Sequence, residues 1–139
     1  MRIMAIDYGD AHTGIAISDP TGFLAGFTTV INAYRPEAVA EQVAALCREH
    51  GGEELVLGHP INMDGTRGPR SEKAQAMKAL LEETTSLPVV LWDERRTTID
   101  AHQILMGSGK NAKKRKKVVD AVAASLILEG YLTYKKSHP

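Results

Sequence analysis

The first 31 residues carry three β-prone segments, and the connections between them are too short to hold a helix. Residues 2–7 form an apolar run ending in Asp7, followed by the turn signal Tyr8-Gly9-Asp10. Residues 14–18, Gly-Ile-Ala-Ile-Ser, read as a second strand, stopped by Asp19-Pro20-Thr21-Gly22. Residues 23–31 read as a third. Strands joined so closely run antiparallel, because a parallel return needs a crossover of a dozen or more residues. The rhythm then changes. Pro36 opens a helical pattern with Val39, Val43, Leu46 and Cys47 on one face, stopped by Gly51-Gly52. Leu55-Val56-Leu57 reads as a buried strand, closed by Gly58-His59-Pro60. A loop over 61–70 leads to a helix over 70–85, with Ala74, Met77, Leu80 and Leu81 inward. Pro88 precedes a strand over 89–93, and Thr98 caps a short helix reaching Met106. A final helix is expected over 117–134. The order β-β-β-α-β-α-β-α-α predicts an α/β fold: a five-stranded mixed sheet, three antiparallel strands then two parallel, with helices on both faces.

A chain of 139 residues is expected to form a single domain over 1–139, with a core large enough to need no disulfide. The single Cys47 lies within an apolar helical pattern and reads as a reduced, buried thiol. No apolar run approaches the roughly 20 residues of a membrane span. Residues 1–6 read as a strand rather than a leader, so a cytoplasmic protein that does not engage membranes is expected. Seventeen basic and 17 acidic residues cancel overall, but they are unevenly spread. The octet Lys110-Asn111-Ala112-Lys113-Lys114-Arg115-Lys116-Lys117 holds six bases and no acid. Such a run is either a solvated loop or a grip on phosphate.

In sheets of this kind, sites form outside the carboxyl ends of the parallel strands. Asp7, Gly58 and Glu94 all fall at those ends. Asp120 follows the basic octet and shares a helical stripe with Ala123, Ala124 and Ile127, which should face the sheet. A carboxylate there is costly unless it is paired, hydrogen-bonded or metal-bound. Although an acid at a helix start also complements the dipole, that does not explain its place on the apolar stripe. Together, Asp7, Glu94 and Asp120 could hold Mg²⁺ or Mn²⁺, hard cations that prefer oxygen ligands and serve phosphodiester displacement. The neighbouring acids have simpler roles. Asp10 and Asp64 suit turns, and Asp93 points to the face opposite Glu94 in an extended strand. Candidate phosphate contacts are Asn62, Arg67, Arg70, Arg95 and the block Lys113, Lys114, Arg115, Lys116 and Lys117.

Four segments taken in order, Ile3–Gly9, Val56–Pro60, Asp93–Thr98 and Lys117–Ala124, resemble the bacterial pre-16S rRNA nuclease family. That family is also described as Holliday-junction-resolvase-like and belongs to the RNase H-like superfamily. The resemblance covers nearly the whole chain. It implies an RNase H-like fold, a cytoplasmic nuclease maturing the 5′ end of 16S rRNA, a divalent metal, and an acidic pocket matching Asp7, Glu94 and Asp120. Two positions depart from the pattern: His12 stands where the family commonly has Arg, and His59 where it commonly has Leu.

The expectation is therefore a metal-dependent phosphodiesterase acting on structured RNA within ribosomal precursor particles, as a monomer or weak homodimer. The alternatives are a Holliday junction resolvase cutting branched DNA, and a non-catalytic RNA- or ribosome-binding module that His12 and His59 mildly favour. A sugar-kinase-like or actin-like ATPase also uses an acidic strand end and a Gly turn, but this chain lacks the second lobe needed to enclose a nucleotide.

Overall fold

The computed structural model describes residues 2–19, 25–59, 68–93 and 112–137, and for residues 25 and 112–120 it describes the backbone alone. Five strands, β1 (Arg2–Asp7), β2 (His12–Ser18), β3 (Ala25–Asn32), β4 (Gly52–His59) and β5 (Val89–Asp93), form one sheet in the order β3-β2-β1-β4-β5. The consecutive pairs β1/β2 and β2/β3 are antiparallel, and the pairs β1/β4 and β4/β5 are parallel. The fold class read from the sequence is thus the one observed. Between the later strands lie α1 (Pro36–His50) and α2 (Pro69–Thr85), and α3 (Ala112–Ser137) closes the chain. The expected helix over 98–106 lies outside the described residues.

Local chemistry sets the helix ends. Proline opens both α1 and α2, where a missing N–H costs nothing and φ is already helical. Gly51 ends α1 at φ 72°, with its N–H donating to the Cys47 carbonyl. A side chain disfavours that left-handed conformation, so glycine is the natural stop. Two boundaries differ from the sequence reading. Strand β4 begins at Gly52 rather than Leu55, and it buries Glu54. Helix α3 begins at Ala112 rather than 117, so most of the basic octet belongs to its first turns and not to a loop.

Strand alternation sends residues to two cores. Met4 and Ile6 of β1, Leu55 and Leu57 of β4, and Val89 of β5 pack with Val39, Val43 and Cys47 of α1 and Ala74, Met77 and Leu81 of α2. Ile3 and Ala5, Val56 and Trp92 pack on the opposite side with Ala124, Ile127, Leu128, Tyr131 and Leu132 of α3. Leu46 and Leu80, expected inward, are partly buried at the margin of the first core. The second core is closed by a polar fastening. The Tyr131 hydroxyl and the Lys135 ammonium donate to the two carboxylate oxygens of Glu54, and Trp92 meets Tyr131 and Tyr134 edge-on. Burial, and then the Glu54 carboxylate, push the Tyr131 phenol well above its ordinary range. Among the described residues, no helix is long and apolar enough to cross a membrane.

Cys47 is buried with its thiol against the Met4 sulfur at 3.9 Å. Burial pushes the thiol up to about 11, from an ordinary value of 9.0. Because the thiolate is the reactive form, a thiol reagent at pH 8 should modify Cys47 only after unfolding. The native state holds this proton more tightly than the unfolded chain. Its contribution to stability is therefore complete below pH 9 and is lost as pH rises towards 11. Reagent titration of native and denaturant-unfolded protein checks the first point, and denaturation midpoints across alkaline pH check the second.

Candidate active site

The parallel register decides which residues can meet. Ile6 lies beside Leu57, Leu57 beside Leu91, Gly58 beside Trp92, and His59 beside Asp93. The exits of β1, β4 and β5 therefore share one edge of the sheet, with Asp7 next in line after Ile6. In β1, Ile3 and Ala5 belong to the α3 side, so two-residue alternation assigns Asp7 to that side as well. Asp93 falls on the other side, with Val89 and Leu91. Asp93 and Asp7 are thus assigned to opposite sides of the sheet.

The β1–β2 turn is built for close approach. A Cβ at Gly9 would collide with the backbone carbonyl oxygen of His12, so only glycine lets the chain fold back here. The Gly9 N–H reaches the Thr13 hydroxyl at 3.5 Å, and Thr13 is fully buried. His12 faces Asn32 across the β2/β3 pair, with its Nδ1 2.6 Å from the Asn32 Oδ1. His12 is thus tied into the sheet.

His59 is equally occupied. It is buried at the end of β4, and its Nε2 lies 2.6 Å from the hydroxyl of the fully buried Ser71 in the first turn of α2. Gln75 donates to the same hydroxyl at 3.2 Å. The imidazole joins β4 to α2 through a polar bond, which an apolar side chain here could not do. Both histidines that distinguish this sequence therefore have structural partners.

Beside this edge opens a cavity of about 110 Å³ lined by Asp7, Tyr8, Gly9, Asp10, Gly58, Arg70, Lys73 and Ala74. Arg70 and Lys73 stand three residues apart on α2, a spacing that puts them on neighbouring positions of one helix face. Lys73 also binds Asp10 at 3.0 Å across the mouth. Its hydrogen bond and charge hold the Asp10 carboxyl below the ordinary carboxylate range. Burial raises the Tyr8 phenol above its usual value, and the Asp10 charge adds to the effect. The sequence reading named Arg70 but missed Tyr8 and Lys73, whose places in the cavity depend on the β1–β2 turn lying against α2.

Of the other candidates, Asn62, Arg67, Glu94 and Arg95 lie outside the described residues, as do the side chains of Lys113, Lys114, Arg115, Lys116, Lys117 and Asp120. The backbone nevertheless corrects one point. Residue 120 lies eight positions after Ala112, the first residue of α3, and one helical turn before the buried Ala124. Dipole stabilisation acts within the first turn, so it does not account for an acid at 120. Among the described residues, no group of three or more His, Cys, Asp and Glu side chains could hold a metal ion.

Replacing Gly9 by alanine would press the new Cβ against the His12 carbonyl oxygen, force the turn open and destabilise the protein by about 1–3 kcal/mol, the usual range for overpacking. Urea denaturation of the variant checks this, with Gly51→Ala, a substitution at positive φ remote from the cavity, measured beside it.

The geometry has close counterparts among known proteins. A family model described as "RuvX: Holliday junction resolvase" matches residues 1–134. A Halothermothrix orenii protein named as a pre-16S rRNA nuclease is 44% identical over 135 residues, covering 97% of this chain and 96% of its own. A Clostridium botulinum protein of the same name is 44% identical over 132 residues, covering 95% and 96%. Among solved structures, Thermus thermophilus RuvC in complex with a Holliday junction superposes with a TM-score of 0.64 at 15% identity, covering 97% of this chain and 96% of that one. That likeness shows the RNase H-like fold. The full-length family match and the relatives together show that this chain belongs to the RuvX family.

Proposed function

We propose that this protein is a divalent-metal-dependent nuclease that matures the 5′ end of precursor 16S rRNA. The observation that carries the reading is the position of Asp7: at the carboxyl edge of the sheet, on the side covered by α3, and lining a cavity edged by Arg70 and Lys73. The names of the relatives supply the substrate.

Asp7 offers oxygen donors of the kind that Mg²⁺ or Mn²⁺ takes, at a strand end with an open cavity beside it. In this reading Glu94 and Asp120 complete the ligand set. Support for residue 120 is its place on α3, which packs against β1, together with the failure of the dipole explanation. When bound, the ions supply the positive charge that an in-line phosphodiester displacement requires. The chain's own residues position the substrate. Arg70 offers a planar fork to a phosphate, and Lys73 offers a point charge that Asp10 already orients. Asn62, Arg67 and Arg95 are assigned to neighbouring phosphates. Residues 113–117 lie in the first turns of α3, where cations oppose the helix dipole. Phosphate binding explains why bases are kept there.

A second reading, cleavage of four-way DNA junctions, is favoured by the description of the family model. It requires a homodimer that brings two sites to two strands, whereas RNA maturation is open to a monomer or weak homodimer.

Asp7→Asn should abolish Mn²⁺-dependent cleavage of precursor 16S rRNA and weaken Mn²⁺ binding in calorimetry while leaving the fold intact. Undiminished cleavage by this variant would sink the assignment. The same preparations offered a four-way junction separate the RNA and DNA readings. Neutralising Lys113, Lys114, Arg115, Lys116 and Lys117 should weaken binding without changing sequence preference. It should also flatten the salt dependence by roughly 0.7–0.9 in log–log slope for each phosphate that the variant no longer neutralises.

A further inference from the structure

A second cavity, of about 340 Å³, is lined by Tyr8, Asp10, Tyr34, Pro36, Lys73, Ala76, Met77 and Leu80. It shares Tyr8, Asp10 and Lys73 with the cavity at Asp7, so the two are parts of one groove divided by the Asp10–Lys73 ion pair. Its walls have two chemistries. Met77, Leu80, Pro36 and the tyrosine rings are apolar, while Lys73 carries positive charge. Tyr34 is 82% exposed, more than any other exposed large hydrophobic side chain among the described residues. An aromatic ring left in water at the mouth of a groove is unexplained by the core, since it packs little of its surface there.

We propose that this groove takes an unpaired stretch of the nucleic-acid substrate, with a base stacked on Tyr34 and a phosphate held by Lys73. The proposal rests on the nuclease reading for its ligand class, and it extends the substrate path from the α3 face to the α1/α2 face. Aromatic stacking accepts any base, and lysine holds phosphate without regard to sequence, so the groove selects single-stranded character. Arg70 enters no ion pair among the described residues and continues the cationic track towards Asp7. The Asp10–Lys73 pair is no obstacle. Both side chains are exposed, 84% and 58%, and exposed ion pairs yield readily to a competing anion.

The experiment measures fluorescence anisotropy of two RNA probes in EDTA, where no cleavage can occur. One is a hairpin with a short unpaired tail, and the other is the same hairpin with a blunt end. Tyr34→Ala should weaken binding of the tailed probe by about tenfold, as expected for removal of one stacked base, and leave the blunt probe unchanged. Tyr34→Phe should bind both as the parent does, and Lys73→Gln should reduce the salt dependence on the tailed probe. Unchanged affinity of Tyr34→Ala for the tailed probe, or an equal loss on both probes, would overturn the proposal. Because binding is read without turnover, failure here is distinct from failure of the Asp7→Asn cleavage test.

Discussion

Burial of β1 and β4 on both faces is the constraint on which the rest of the structure depends. Met4, Ala5, Ile6, Leu55, Val56 and Leu57 are all fully excluded from solvent. Neither strand can move without exposing one core or the other. Each large side chain buried here contributes about 1.5–3 kcal/mol, far more than the exposed ion pairs around the rim. The position of α2 is accordingly set by Ala74, Met77 and Leu81, and the Asp10–Lys73 pairing follows from that packing. The polar bonds between elements refine what burial has placed: His59 with Ser71 joins β4 to α2, and Glu54 with Tyr131 and Lys135 joins β4 to α3.

The two cores also divide the labour at the site. One side carries α3, residue 120 and the face of Asp7. The other carries α2, which brings Arg70 and Lys73 to the same sheet edge. Asp7 and the two α2 cations thus approach the edge from opposite sides of the sheet.

The sequence showed the strand order because its cues are local. Short connections forced β1, β2 and β3 into antiparallel pairing, and the proline at 36 marked a helix start. It also showed that Asp7 sits at a strand exit. Other features depend on distant partners and left no local sign. The sequence began the fourth strand at Leu55, yet Glu54 also belongs to it and is buried, with Tyr131 and Lys135 reaching it from 77 and 81 residues away. Lys73 was not singled out, because its bond to Asp10 exists only where α2 lies beside the β1–β2 turn. The start of α3 was misplaced because the basic octet has no apolar periodicity to mark a helix. The bonds of His12 to Asn32 and of His59 to Ser71 likewise join residues of different elements and had no local sign.

The alternation along β1 has a consequence for how this chain can change over generations. Asp7 owes its side of the sheet to its parity with Ile3 and Ala5. An insertion or deletion of one residue between Ile3 and Asp7 would send the acid to the wrong layer or turn part of both cores inside out. An insertion of two would keep the parity but push Asp7 roughly 7 Å past the ends of its neighbours. The length of this segment is therefore fixed twice over, by packing and by placement of the acid. Substitutions can accumulate along β1 where shape is kept, but changes of length have no neutral route.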